Sequence, residues 1–342
     1  MRAVTFNEHG GPRVLRYRTD LVRPAPGPGE VLVRVEATGL NQVDRVVRLG
    51  YPGLKVKMPH VLGADIVGTV ESVGDRTAGV EEGARVAVYP IVSCGDCALC
   101  RGGDPNLCVD WQYFGLHRSG SYAEHVVVPA ENVLRLPDSL SFEHAVAVPV
   151  AGLTAYHALV GVAKLKPDQT FFIWGGAGAL GTVAIQIAKH LGATVIATGS
   201  SQSRLEVMSS LGADVVLDRY RDDVLRRVRE AAPLGVDVVL DYVGPQTFPT
   251  SFEMLKKGGQ MLLCGIITSR EATVSLHMTY LRHLSLKGLY LGTRAEMEAL
   301  LGLIDEGVVV PHIEQRFPLE DAAAAHELLD SGQTVGKVLL TF

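Results

Sequence analysis

Six residues, Gly176-Ala177-Gly178-Ala179-Leu180-Gly181, constrain this chain more than any other stretch. They space three glycines as G-x-G-x-x-G between a short apolar run, Phe171–Trp174, and a helical pattern in which Leu180, Val183, Ala184, Ile187 and Leu191 recur. A strand that turns directly into a helix needs the first glycine for the tight turn. The second lets backbone amides approach a pyrophosphate, and the third lets helix and strand pack closely, with the helix N-terminus facing the anion. The run Thr194–Thr198 supplies the following strand, so the motif sits in a strand–helix–strand unit and reads as a dinucleotide site. Gly176, Ala177, Gly178, Leu180 and Gly181 are the expected contacts.

The end of that second strand bears on which dinucleotide binds. A site for NAD usually places a carboxylate there to hold the ribose hydroxyls. Here it reads Ala197-Thr198-Gly199-Ser200-Ser201, with Arg204 nearby and no carboxylate before Glu206. Hydroxyls and a guanidinium suit a 2′-phosphate, which predicts NADP, with NAD as the alternative, held by Ser200, Ser201 and Arg204.

Around the motif, strands at Asp214–Leu217, Val236–Leu240 and Met261–Cys264 alternate with helical segments, as in an α/β domain with a doubly wound parallel sheet. Before it the rhythm is different. Short β-branched runs such as Val31–Val35, Ile66–Val70, Arg85–Val88 and His125–Val128, broken by Gly and Pro, suggest a barrel-like β domain. The expected division is a first domain over 1–150, the dinucleotide domain over 151–305, and a segment 306–342 whose last strand, Lys337–Phe342, returns to the first domain.

Composition excludes several classes. Hydrophobic residues make up 47% of 342, too many for a disordered chain. A net charge of −5 without a dense Lys/Arg run argues against nucleic-acid and anionic-membrane partners. MRAVTFNEHG has no apolar leader core, and the apolar run Ala145–Ala155 is short for a membrane span and contains Pro149, so a cytoplasmic location is expected.

Four of the five cysteines, Cys94, Cys97, Cys100 and Cys108, fall within fifteen positions. Two-residue gaps let successive sulfurs turn toward one centre, and four thiolates satisfy tetrahedral zinc. A site filled by sulfur leaves no position for water or substrate, so one structural zinc per chain is expected; redox chemistry or an iron–sulfur centre are the alternatives.

The order of β domain, four-cysteine lobe, dinucleotide domain and returning strand resembles the zinc-containing alcohol dehydrogenase and quinone reductase family, the medium-chain dehydrogenases/reductases. The resemblance implies a GroES-like β-barrel substrate domain, a Rossmann domain, a site in the cleft between them, and a homodimer or homotetramer with Leu284–Leu291 as a pairing edge. Members with a catalytic zinc carry Cys, a Gly-His-Glu motif and a second Cys where this chain has Asn41, Gly63-Ala64-Asp65 and Val150. Ala and Val lack donor atoms and an amide is a poor zinc ligand, so the resemblance implies loss of the catalytic metal; His60 lies four residues before the expected position. Asn41, Asp44 and Tyr51 resemble the zinc-free quinone reductase branch. Thr154 matches a nicotinamide-contacting threonine, and Lys337 a basic residue that reaches the cofactor phosphates.

Without a Lewis acid, hydride transfer requires an acceptor that delocalises charge: an activated carbonyl, an enone or a quinone. Asn41 and Tyr51 are candidate donors beside the carboxylates Asp44 and Asp65, with Tyr51, His117 or water as the proton source. Two other readings compete: an alcohol dehydrogenase with an atypical zinc site, and a nucleotide-binding sensor with vestigial activity.

Overall fold

The computed structural model describes residues 1–51, 53, 55–265 and 271–342. They form two compact units: residues 1–151 with 293–307 and 311–342, and residues 152–292 with 308–310.

Unit 1 begins with β1 (Ala3–Thr5), β2 (Arg16–Arg18), β3 (Glu30–Gly39), β4 (Val67–Val73), β5 (Arg85–Val88), β6 (Ile91–Val92), β7 (Gln112–Tyr113), β8 (His125–Pro129) and β9 (Val133–Arg135). Unit 2 contributes six parallel strands: β10 (Thr170–Ile173), β11 (Thr194–Gly199), β12 (Val215–Asp218), β13 (Val236–Asp241), β14 (Leu255–Leu263) and β15 (Ser285–Gly288). The chain then returns to unit 1 with β16 (Ile313–Pro318) and β17 (Lys337–Thr341).

The large sheet of unit 1 runs β16-β17-β3-β4-β5-β9, with β8 also paired to β3. β3 organises it. Its first half, Glu30–Arg34, pairs with β8, while Ala37–Gly39 pairs with β17. The β3–β4 ladder shifts register twice, with Glu71 of β4 the extra residue at Leu32/Val33 and Glu36 of β3 the extra residue at Val35/Ala37. Bulges of this kind bend a strand and raise its twist. The expected barrel-like domain is a curled sheet that does not close: among the described residues β9 and β16 are the ends of its strand order. Its apolar face is β-branched, with Val31, Val33, Val35, Val70, Val86, Val88, Val126 and Val128 buried together.

A second apolar cluster lies under helix Ala322–Asp330. There Ala322, Ala325 and Leu329 pack with Leu40, Val47, Leu62, Tyr122, Val338 and Leu340. The helix Arg294–Asp305 also belongs to unit 1, not to the dinucleotide domain expected over 151–305. Arg294 donates to the Val133 carbonyl (2.8 Å) and Asp305 accepts from Ser139 (2.6 Å).

In unit 2 the strand order is β12-β11-β10-β13-β14-β15, the order of a doubly wound dinucleotide-binding fold. All six residues of β13 are buried, as expected for a strand covered on both faces. The helical stretch Phe142–Val162 extends further than the sequence suggested, because Pro149 is absorbed in a π-helical turn over Val148–Gly152. It is the one described helix long and apolar enough to cross a membrane. About two thirds of its apolar window is buried within the protein, as in a core helix.

At the end of β13, the Asp241 carboxylate is fully buried and accepts from the amides of Val243 (3.0 Å) and Gly244 (3.1 Å) and from the hydroxyls of Thr247 (2.8 Å) and Ser251 (2.7 Å). Ser251 in turn accepts from Trp174 Nε1 at 2.6 Å. Ser251→Ala removes one partner from each of two buried polar groups. It should cost about 2–4 kcal/mol in unfolding free energy, read by urea denaturation; Thr247→Ala should cost a comparable amount.

Candidate functional site

The glycine loop of unit 2 is built by backbone contacts that side chains would obstruct. Gly175, at φ +64°, turns the chain out of β10, and its amide donates to Thr198 Oγ1 at 3.1 Å. A Cβ on Gly176 would stand 2.7 Å from Met208 Sδ and 2.8 Å from Ala197 Cβ, and one on Gly181 would stand 2.6 Å from the Gly176 backbone. These two glycines allow loop, strand and helix to touch. Gly178 differs: a Cβ there would meet no atom closer than 3.5 Å. The loop is thus tight on its protein side and open at Gly178, immediately before helix Ala179–His190. A dinucleotide pyrophosphate fits this arrangement of open backbone at a helix N-terminus.

Tyr242, which the sequence did not single out, braces the turn by donating from its hydroxyl to the Gly175 carbonyl at 2.6 Å. Burial pushes its pKa up, so it stays a donor. At the end of β11, Arg204 donates to Ser200 Oγ. Ser201 Oγ lies 3.1 Å from Ser203 Oγ. A further cation joins them: the Arg219 amide donates to the Gly199 carbonyl at 2.9 Å, and its guanidinium lies 4.5 Å from the centre of the Tyr220 ring. The register Gly199↔Asp218 is what brings Arg219 there. Thr154 is buried within unit 2.

Unit 1 gathers Asn41, Asp44, Asp65 and Lys337 into one buried cluster. Lys337 Nζ sits 2.5 Å from Asp65 Oδ2 and donates to Asn41 Oδ1 at 2.8 Å. Asn41 Nδ2 donates to the same Asp65 oxygen at 2.7 Å and to the Gly39 carbonyl at 3.4 Å. Asp65 Oδ1 accepts from the Val150 amide at 3.0 Å. Asp44, from helix Gln42–Leu49, accepts from the amides of Asn41 (2.8 Å) and Gly63 (3.0 Å). Burial raises the pKa of Asp44 to about 7, with those hydrogen bonds and Lys337 opposing it. Burial likewise raises Asp65, against the pull of the Lys337 ammonium.

The structure revises two expectations here. Lys337, expected at the cofactor phosphates, is 1% exposed and bound to Asp65 and Asn41. Asn41, expected as a free donor, already directs its amide at Asp65 and Gly39; only the long Gly39 contact is weak enough to exchange for a ligand. His60 is packed edge-on against Phe6 with its Nε2 3.0 Å from the Gly115 carbonyl, and burial lowers its pKa. His117 Nδ1 accepts from the Tyr113 amide at 3.1 Å, the ring stands edge-on to Trp111, and partial burial lowers its pKa. Tyr51 is 43% exposed.

The four cysteines converge. A short helix, Ala98–Arg101, starts at Cys97, and the turn Pro105–Leu107 delivers Cys108. All four Sγ atoms lie within 4.8 Å of one another, with Cys94 at 3.4 Å from Cys108 and 3.9 Å from Cys100. Tetrahedral zinc with bonds of about 2.3 Å sets sulfur–sulfur edges of about 3.8 Å. Amides of Cys94, Cys97, Cys100 and Asp110 point at the sulfurs from 3.2 to 3.4 Å, as thiolates require. The donor set fits zinc. Among the described residues it is the only group of three or more His, Cys, Asp or Glu placed to hold an ion.

Two family descriptions match the chain: the alcohol dehydrogenase GroES-like domain over residues 27–138 and the zinc-binding dehydrogenase over residues 179–306. An alcohol dehydrogenase of Geobacillus stearothermophilus is 33% identical over 94% of each chain. A quinone oxidoreductase of Lama guanicoe is 28% identical, over 99% of this chain and 97% of its own. A crystal structure described as an NAD-dependent alcohol dehydrogenase superposes with a TM-score of 0.95 at 38% identity, covering all of both chains. The sheet order, the glycine loop and the thiolate lobe agree with these likenesses, and the chain belongs to the medium-chain dehydrogenases/reductases, the NAD(P)-dependent oxidoreductases that include the zinc-binding alcohol dehydrogenases and the quinone oxidoreductases.

Proposed function

We propose that this oxidoreductase reduces an activated acceptor, a quinone, an enone or a reactive carbonyl, with NADPH in preference to NADH and without a catalytic metal. One observation carries the reading. Where the family resemblance places the ligands of a catalytic zinc, Asn41, Asp65 and Lys337 bind one another, Ala64 is a buried methyl group, and Val150 offers only its amide, to Asp65. A single carboxylate already paired to an ammonium is a poor beginning for a metal site.

Bound nicotinamide nucleotide supplies the hydride. The chain's part is binding, orientation and proton supply. The backbone at Gly178 and the start of helix Ala179–His190 receive the pyrophosphate; Ser200, Ser201, Arg204 and Arg219 receive the 2′-phosphate; and Thr154 supports the nicotinamide. Tyr51 and the second Nδ2 hydrogen of Asn41 donate to the acceptor oxygen, where negative charge develops, and Tyr51 or water provides the proton. Asp44 and Asp65 hold Asn41 rather than reacting. His117, whose Nδ1 already accepts from Tyr113, is a weaker proton source than Tyr51. A homodimer or homotetramer in the cytoplasm completes the proposal, in keeping with five cysteines that form no disulfide.

Elemental analysis of dialysed, cofactor-free protein should find one zinc per chain, and Cys108→Ser should lose it. Two zinc ions would overturn the metal-free reading. Arg204→Ala should raise KM for NADPH by about 10–100-fold while leaving KM for NADH within about twofold, measured by steady-state kinetics. Tyr51→Phe and Asn41→Ala should each lower kcat by about 10–100-fold with cofactor affinity unchanged; full turnover in both would remove them from the mechanism.

A further inference from the structure

We infer, on the reading of the glycine loop as the pyrophosphate seat, that Tyr242 is a positioning residue for the dinucleotide. Its hydroxyl locks the Gly175–Gly176 peptide in the orientation that presents the amides of the following helix to the ligand.

A single peptide plane, inside unit 2, carries the contacts. Its carbonyl, on Gly175, accepts from the Tyr242 hydroxyl at 2.6 Å and from the Gly178 amide at 3.0 Å, which fills both lone pairs. Its N–H, on Gly176, donates to the Thr198 carbonyl at 2.9 Å. One residue back, the Gly175 amide donates to Thr198 Oγ1 at 3.1 Å. The loop leaves β10, which stands between β11 and β13 in the sheet. Thr198 belongs to β11 and Tyr242 directly follows β13, so the plane is held from both neighbouring strands.

A plane between two glycines needs such holding. A half-turn of it changes ψ of Gly175 and φ of Gly176, and neither residue has a Cβ to oppose the change. Of the two donors to the Gly175 carbonyl, the Gly178 amide moves with the loop; Tyr242 comes from another strand and does not. A half-turn would also release the Gly178 amide, and Gly178 is the N-cap of helix Ala179–His190. Among the described residues, the first amide of that helix to find a partner is that of Thr182, on the Gly178 carbonyl at 2.9 Å. The amides of Ala179, Leu180 and Gly181 are left for a ligand, and where they aim depends on how Gly178 is held. The Tyr242 oxygen itself lies 3.6 Å from where a Gly178 Cβ would stand, so it flanks the open face of the loop.

The test compares two ligands that share an adenine and a 2′-phosphate: NADP⁺, which carries the pyrophosphate, and adenosine 2′-monophosphate, which does not. Binding to the full chain is measured by isothermal titration calorimetry. Tyr242→Phe removes the hydroxyl and keeps the ring. It should weaken NADP⁺ by about tenfold and leave adenosine 2′-monophosphate within about twofold. With NADPH and 1,4-naphthoquinone, the loss in kcat/KM for NADPH should lie in KM rather than in kcat. Unchanged NADP⁺ affinity would overturn the inference, and so would an equal loss for both ligands, which is a general loosening of the unit. Gly178→Ala separates the lock from the reading beneath it, because its Cβ meets no protein atom closer than 3.5 Å yet occupies the face given to the pyrophosphate. If Gly178→Ala weakens NADP⁺ and Tyr242→Phe does not, the lock alone falls. If neither variant affects NADP⁺, the reading of the loop falls and the lock with it. One measurement needs no variant. In the cofactor-free wild-type protein the Gly176 and Gly178 amides should exchange with deuterium about 100-fold or more slower than unstructured glycines, read by NMR. Exchange at the unstructured rate would overturn the inference.

Discussion

Asp65 and Lys337 meet at 2.5 Å with almost no contact with solvent, and a buried pair persists only when the polar atoms around it are satisfied as well. Much of unit 1 follows from that requirement. The Val150 amide and the Asn41 side chain fill the remaining positions on Asp65, and Asn41 also accepts from the ammonium. Gly39 is obligatory, because a Cβ there would stand 2.2 Å from Lys337 Cε and 2.6 Å from Asp65 Oδ2. β17 has to lie against the last residues of β3, since only that register, Leu339 opposite Gly39, brings Lys337 to the cluster. The pair thus couples a residue near position 65 to one 272 positions later.

The parts of the molecule legible in the sequence are those whose chemistry is local. The glycine loop is contained in six residues with its strand and helix on either side, and the thiolate lobe in fifteen. The hydrogen bonds that join Arg48, His326 and Tyr122 in unit 1 offer no such signal. His326 is 278 residues from Arg48 and 204 from Tyr122, and nothing in the spacing of a tyrosine, a histidine and an arginine predicts that they meet. The same distance misled the reading of Lys337: its identity as a basic residue was visible, its partner was not. Arg219 escaped because it reaches the end of β11 through strand register rather than through sequence proximity. Whether the barrel-like sheet closes is hidden for a related reason. Short β-branched strands look alike in open and closed sheets, and the difference here lies in where β3 bends and changes partners.

Buried carboxylates are held in two different ways. In unit 2, Asp241 is held without a counter-charge by two amides and two hydroxyls gathered at the end of its own strand and the helix that follows. The set is short-range and neutral in its donors. In unit 1 the carboxylate of Asp65 is met by a full positive charge drawn from a distant element. Breaking a neutral set costs the desolvation of one group, whereas removing one partner of a buried charge pair leaves an uncompensated charge.

The interruption of unit 1 by unit 2 along the chain has a consequence for synthesis. As the polypeptide emerges from the ribosome, every strand of unit 2 is available once Ser285–Gly288 has been made, and the unit can close with the partners it has. Unit 1 cannot. Its central strand β3 lacks a neighbour, and Asp65 lacks its ammonium, until Lys337–Thr341 has been translated. Domains ordinarily fold from the N-terminus onward as they are made. Here the later-encoded unit has all its strands first, and the first-encoded one has its full sheet only when β17 is made.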